Sequence, residues 1–331
     1  MTVPIAGKTI VILTPVLNDW DSLALLLPAI DKAIAPLGVK GHVVIIDDGS
    51  FNFSGKEALA ELSFSAITAV DEVVMGSNQG NQRALAIGIA YVSKNFQADY
   101  LVVMDSDLED KPGDIPMLLQ RCAEEGNSKI VFAERTKRSE GYSFRLFYHL
   151  YQWLYRILTG LPISIGNFSV IPWSLVRRLP YIGDLWNHFP ASIMRARMPT
   201  TMVPTERGAR LTGESHMNMV NLVVHAFSGF SVFADVVAVR VMLWTILIGL
   251  VLLGAMLVSV AIKLGTDLTI VGWTSQMIAF FTVMFIQVLT ASVILLFLIL
   301  SHRVHPPMLP IHDYSRFIFE VHHIYPAGAS K

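Results

Sequence analysis

Tyr100-Leu101-Val102-Val103-Met104-Asp105-Ser106-Asp107 is the stretch from which the fold is read. Five apolar residues in a row read as a central strand. The run then breaks into two carboxylates one residue apart. A strand ending in Asp-x-Asp delivers carboxylates to the carboxyl edge of a sheet, where α/β folds bind their ligands. Oxygen-only ligands suit Mg²⁺ or Mn²⁺, which bind through one or two carboxylates plus substrate phosphates. The stretch therefore points to a metal bridging protein and diphosphate, although Asp-x-Asp by itself also occurs on solvated loops.

Outward from this strand, the chain alternates. Thr9–Thr14 and His42–Asp47 read as buried strands, and Asp21–Pro36 between them has helical spacing, with Asp19 or Asp21 available as its N-cap. Asp71–Met75 reads as a weaker strand and Asn81–Asn95 as a helix, with Ala84, Leu85, Gly88 and Val92 on one face. Asp114–Glu125 follows as a helix and Lys129–Ala133 as a further strand. This alternation predicts an α/β fold with a doubly wound, mainly parallel sheet. Ser143–Thr159 reads as an amphipathic helix, with Phe147, Leu150, Tyr151, Leu154, Ile157 and Leu158 on one face and Arg145, His149 and Arg156 among the cationic groups. Its aromatic and basic residues suit a membrane interface, and its apolar face equally suits a core.

Hydrophobic residues make up 53% of the 331 and charged residues only 15%, an apolar balance for a soluble protein. The excess is concentrated late in the chain: between Val241 and Leu300 the only charges are Lys263 and Asp267. Val241–Ile262 and Met277–Leu300 are each long enough to cross a hydrocarbon core of about 30 Å. The expected organisation is a cytoplasmic domain over 1–215 and an amphipathic juxtamembrane helix over 216–240. A transmembrane hairpin over 241–300 and a cytoplasmic tail over 301–331, without clear pattern, follow. Arg240, His302 and Arg303 flank the spans as the positive-inside rule asks, and Thr9–Thr14 is too short for a signal-peptide core. Localisation at the inner (cytoplasmic) membrane follows as an expectation. Gln287, a polar group within the second span, reads as helix–helix glue. The single cysteine, Cys122, excludes an intrachain disulfide, and a net charge of −1 gives no electrostatic case for nucleic acid. Two spans per chain leave room for a homo-oligomer.

Several motifs occur in a telling order. Thr14-Pro15-Val16-Leu17-Asn18 follows the first strand and Asp47-Asp48-Gly49-Ser50 the second. Asn78-Gln79-Gly80-Asn81-Gln82-Arg83-Ala84-Leu85 opens a helix, Asp105-Ser106-Asp107-Leu108-Glu109 ends the strong strand, and Glu206-Arg207-Gly208-Ala209-Arg210-Leu211-Thr212-Gly213-Glu214-Ser215 comes much later. Asp-Asp-Gly-Ser alone reads as a plain turn. The ordered set resembles the family 2 glycosyltransferases of GT-A fold, and more narrowly the polyprenyl-phosphate glycosyltransferases of the dolichyl-phosphate-mannose synthase group. That resemblance covers nearly the whole chain, including a two-helix C-terminal anchor.

The resemblance implies roles. Pro15 and Asn18 would shape the loop under a nucleotide, and Asp47 and Asp48 would accept hydrogen bonds from a base N–H or a ribose hydroxyl. Asn78 and Gly80 would let the backbone approach the ligand, with Arg83 in the same donor-binding segment at a helix start. Asp105 would meet the sugar or ribose. Asp107 would hold Mg²⁺ or Mn²⁺, with Glu109, where the family usually has Gln, as a second candidate ligand. Arg207 and Arg210 are candidate diphosphate clamps. Arg135, Lys137 and Arg138 are candidate acceptor-phosphate contacts.

The departures from the family pattern are informative. Where the family commonly reads Gly-Asp-Phe-Arg, this chain has Gly166-Asn167-Phe168-Ser169, so Asn167, at the expected acceptor side, is no general base. Where the family has Gly-x-Ser-Lys, this chain has Gly213-Glu214-Ser215-His216. A phosphate monoester, with a second pKa of about 6, attacks without a base. A sugar hydroxyl needs one, and the candidates are His188, Glu206 and His216. The expected activity is inverting transfer from a nucleotide-diphosphate sugar to a polyprenyl phosphate at the cytoplasmic membrane face. A hydroxyl of a lipid-linked glycan is the alternative acceptor, and a catalytically silent membrane scaffold is the alternative of another class.

Overall fold

The computed structural model describes residues 5–135, 152–161, 165–206, 208, 227–266, 272–304 and 308–326. The chain divides into two compact units: 1–145, 163–232 and 307–331 form one, and 146–162 with 233–306 form the other.

The first unit is built on a sheet. In chain order its elements are β1 (Thr9–Val16), α1 (Trp20–Ile34), β2 (Lys40–Asp47), β3 (Ile67–Met75), α2 (Asn81–Asn95), β4 (Tyr100–Val103), α3 (Ile115–Glu124) and β5 (Ile130–Arg135). Then come β6 (Ile165–Pro172), α5 (Trp173–Val176), α6 (Phe189–Arg195) and β7 (Thr200–Thr205), and, after the second unit, α10 (Pro310–Asp313) and β8 (Ile318–Tyr325). The eight strands lie in the order β7-β5-β6-β4-β1-β2-β3-β8. Strand alternation sorts the side chains onto two covered faces. Ile10 and Ile12 of β1 pack with Leu23, Leu27 and Leu119 from α1 and α3. Val11 and Leu13 pack with Leu85 and Ile89 of α2 and Phe189 of α6. Each such buried aliphatic side chain contributes about 1.5–3 kcal/mol. Cys122 is part of this packing, and burial pushes its thiol up to about 12, so it is chemically quiet.

The sheet is more mixed than the alternation predicts. β1 pairs in parallel with β2 and β4, β2 with β3, and β5 with β7. β6, however, is wedged antiparallel between β4 and β5, and β8 adds antiparallel to β3. The tail read as patternless therefore supplies an edge strand. Asp71 on β3 holds it: Asp71 Oδ2 pairs with His42 Nε2 at 2.7 Å, and Asp71 Oδ1 with His323 Nδ1 at 2.6 Å. Burial alone would raise the Asp71 carboxyl, but the two imidazole hydrogen bonds bring it below the usual carboxylate value. β3 starts at Ile67, four residues earlier than the sequence suggested. Asp19 stands at the N-cap of α1, yet its Oδ1 accepts the Ser22 hydroxyl at 2.5 Å rather than a helix N–H.

The second unit contains α4 (152–159), α8 (Ala234–Gly265) and α9 (Trp273–Val304). α8 and α9 are long and apolar enough to cross a membrane, and most of their surface is exposed rather than packed inside protein. Ser292 Oγ donates to Thr245 Oγ1 at 2.7 Å between them, and Phe285 packs on Gly249. Thr282 Oγ1 also donates to Met256 Sδ at 4.0 Å between the two helices, and Gln287 on α9 is exposed. The juxtamembrane helix expected to run into the first span is broken: α7 (227–231) ends in a turn at 232–233, and α8 starts afresh at Ala234. On α4 the buried residues are Tyr155 and Thr159, while Leu154, expected on the apolar face, is exposed. Tyr155 meets Phe233 edge to face at 6.4 Å, and Arg240 Nη1 donates to Ile157 O at 2.6 Å. The first half of the predicted 143–160 helix lies outside the described residues.

Candidate active site

The loops leaving β1, β2 and β4 meet at the carboxyl edge of the sheet. Pro15 is buried in the last turn of pairing in β1, opposite Ile46. Asn18 adopts φ 53, a left-handed conformation that Asn tolerates better than most residues. Its N–H donates to Ser50 Oγ at 2.8 Å, and its Oδ1 accepts the N–H groups of Phe51 and Asn52 at 2.9 and 2.8 Å. One side chain thus staples the first loop to the second.

Asp47 and Asp48 are both buried. Asp47 Oδ1 accepts Ser50 N–H at 2.8 Å, closing its own turn. Asp48 Oδ1 accepts Gln79 N–H at 2.7 Å, and Oδ2 accepts Gly80 N–H at 2.8 Å. Burial first, with the neighbouring Asp47 charge, pushes the Asp48 carboxyl up to about 6 against the pull of those two hydrogen bonds. These oxygens organise the loops around the site. Gly49 makes the approach possible: it has φ +77, and a Cβ there would lie 2.8 Å from Asn78 N. Asn78 Oδ1 also accepts Gly80 N–H, at 2.9 Å. Gly80 itself has φ +87, with open space where a Cβ would stand at the start of α2. Arg83, exposed one turn on, donates to Gln79 Oε1 at 3.3 Å.

Asp105, Asp107 and Glu109 are half-buried on the loop after β4. Asp105 Oδ1 accepts from Asn81 Nδ2 at 3.3 Å and from Asn167 Nδ2 at 3.1 Å. Asp105 N–H donates to Oδ2 of the buried Asp110 at 3.2 Å, and Asp107 Oδ1 accepts Glu109 N–H at 3.1 Å. Between them, the buried Leu108 has φ 64, an outlier for a bulky residue of the kind that collects at functional sites. Gly208 sits against this turn, its N–H donating to Glu109 O at 2.8 Å. Among the described residues, no three His, Cys, Asp or Glu side chains form a metal cage. An oxygen-only set of one or two carboxylates fits Mg²⁺ or Mn²⁺ completed by substrate phosphates and water, so Asp107 and Glu109 suit such an ion.

His188 is buried at the N-cap of α6, where its Nδ1 accepts Ala191 N–H at 3.3 Å. That commits one ring nitrogen to capping. Arg135 ends β5, and of its side chain nothing is described; Arg138, Arg207, Arg210 and His216 lie outside the described residues. Asn81, Gln82, Asp110 and Gly208 were not singled out from the sequence, although three of them fall inside the quoted motifs.

Residues 11–178 match the family model described as Glycosyl transferase family 2. The chain belongs to that family. Its family 2 region runs from within β1 to just past α5, and so contains Asp48, Asp105 and Asn167. The chain is 34% identical over 133 residues to an undecaprenyl-phosphate 4-deoxy-4-formamido-L-arabinose transferase of Klebsiella pneumoniae (strain 342), covering 40% of this chain and 38% of that protein. It is 25% identical over 214 residues to the protein of the same name from Edwardsiella ictaluri, covering 64% of each. The chain thus spans less than two thirds of the length of either relative. Among solved structures, it is similar to glucosyl-3-phosphoglycerate synthase from Mycobacterium tuberculosis in complex with Mn²⁺ and UDP-glucose, at TM-score 0.49 and 16% identity, covering 70% of this chain and 79% of that one.

Proposed function

We propose that this family 2 protein transfers a sugar from a nucleotide-diphosphate donor to a polyprenyl phosphate at the cytoplasmic face of a membrane. The observation that carries the reading is the convergence on one sheet edge of Asp105, Asp107 and Gly208, with the Asp48-held loop beside Gly80. The donor lies along that edge, its diphosphate toward Asp107 and its sugar toward Asp105, and Arg207 and Arg210 are the candidate clamps for the diphosphate. Asp107, with Glu109 as second candidate, would hold a Mg²⁺ or Mn²⁺ ion, which would supply electrostatic stabilisation of the leaving diphosphate. An acceptor phosphate oxygen forms the new bond to the anomeric carbon as the bond to the diphosphate breaks, and the nucleoside diphosphate leaves. Arg135 and Arg138 contribute charge for the acceptor phosphate. A dianionic phosphate brings its own nucleophile, which suits a site with Asn at 167.

The course of the chain supports the membrane reading. The chain leaves the sheet-bearing unit, makes the α8–α9 hairpin, and returns to add β8 to the same sheet. Two crossings keep both ends on one side of a bilayer, with α4 grouped with the hairpin.

The competing acceptor, a glycan hydroxyl, needs a base, and His188 spends Nδ1 on its helix cap. The test is turnover of a sugar-nucleotide panel with Mn²⁺, with and without added polyprenyl phosphate. Turnover dependent on the lipid phosphate supports the reading. Turnover dependent only on a glycan acceptor favours the alternative, and none with either favours a silent scaffold.

A further inference from the structure

Asp105 is the end of a hydrogen-bond chain whose direction is set at both ends. The backbone N–H of Phe189, at the start of α6, donates to Gln82 Oε1 at 2.6 Å. Gln82 Nε2 donates to Asn167 Oδ1 at 3.2 Å, and Asn167 Nδ2 donates to Asp105 Oδ1 at 3.1 Å. A backbone N–H only donates and a carboxylate oxygen only accepts, so both amides between them have one possible orientation. Each must accept on one side and donate on the other. An ionised carboxylate at 167 could accept from Gln82 but would have nothing to offer Asp105. An amide is the side chain this position requires.

The backbone makes the chain possible. β4 and β6 pair antiparallel with Val103 opposite Ser169, and continuing that register two residues sets Asp105 opposite Asn167. Ser169, fully buried, donates its hydroxyl to Asn167 O at 3.0 Å and steadies the peptide that carries the amide. Gln82 reaches across from the first turn of α2.

We propose that Gln82 and Asn167 are a positioning pair that holds Asp105 oriented toward the donor sugar. Gln82 is a positioning residue: it acts through Asn167. The inference rests on the reading that Asp105 meets the donor.

The experiment is a mutant cycle on the full-length membrane protein, with Mn²⁺, polyprenyl phosphate and the sugar nucleotide that the wild type turns over. Gln82→Leu is expected to lower kcat about tenfold in the wild-type background and less than twofold in the Asn167→Ala background, because the chain is already cut. Gln82→Glu still accepts the Phe189 N–H and so supports α6, but cannot donate to Asn167; it is expected to lose kcat as Gln82→Leu does. Wild-type kcat in Gln82→Glu, or an equal loss from Gln82→Leu in both backgrounds, would overturn the pairing and reduce Gln82 to a prop for α6. If the wild type turns over no sugar nucleotide, the functional reading fails. The same cycle is then read in Tm: Gln82→Leu takes the acceptor from the Phe189 N–H in both backgrounds but lowers Tm further where Asn167 is present, and equal shifts in both backgrounds contradict the pair.

Discussion

Gly208 N–H donates to Glu109 O at 2.8 Å, which ties Gly208 to the turn just past Asp107. A Cβ at 208 would lie 2.6 Å from Leu108 O and 3.3 Å from Glu109 O, both of them backbone atoms with little room to yield. Gly208→Ala is therefore expected to lower kcat/KM about tenfold or more, roughly 1.4 kcal/mol of transition-state stabilisation, with Tm nearly unchanged. Steady-state kinetics beside thermal unfolding checks this; wild-type kinetics would show that the contact is incidental.

Asp107→Asn keeps the side-chain shape and removes the charge that suits a divalent ion. Metal-dependent turnover is expected to fall at least a hundredfold while the far-UV spectrum and Tm stay near wild type. Normal turnover in this variant would remove the metal assignment from Asp107.

Asp48 gives a pH prediction of definite sign. Its folded-state pKa of about 6 is above the usual carboxylate value, so the folded protein binds that proton more tightly than the unfolded chain does. Its contribution to stability is fully present below the ordinary carboxylate pKa and is lost as pH rises through about 6. Asp48→Asn cannot titrate. The Tm of the wild type relative to this variant should accordingly decline between pH 4 and pH 7, and a flat difference would contradict the buried, proton-hungry carboxyl.

His42, Asp71 and His323 join three strands, and the outermost strand, β8, is otherwise exposed along most of its length. His323→Ala removes one hydrogen bond to a charged group, a loss of about 1.5–3 kcal/mol. Hydrogen exchange should show β8 opening well before β1 or β2, and unchanged protection of β8 would mean that its backbone ladder suffices.

The parts of this molecule legible in the sequence are those decided locally. Asn81–Asn95 folds over the predicted residues because its apolar residues recur at helical spacing, and Tyr100–Val103 because an apolar run ends at a charge. β6 and β8 were missed because each is a strand only through distant partners. Ile165–Pro172 mixes Gly, Asn, Ser and Pro into a strand whose place depends on β4 and β5 on either side. Ile318–Tyr325 becomes a strand only by reaching β3 and the Asp71 carboxylate, 252 residues before His323. The site divides in the same way. Asp105 and Asp107 announce themselves by adjacency to a strand end. That Asp48 binds the Gln79–Gly80 backbone, or that Gln82 meets Asn167 85 positions away, follows from packing that no local pattern records.

The most direct test of the central claim is to incubate the purified protein with Mn²⁺, polyprenyl phosphate and a panel of sugar nucleotides, and to weigh the lipid by mass spectrometry. The account predicts a lipid heavier by one sugar residue, formed from one donor of the panel and absent with Asp107→Asn. A lipid of unchanged mass, from protein that still binds a nucleotide only when metal is present, would contradict the polyprenyl-phosphate acceptor.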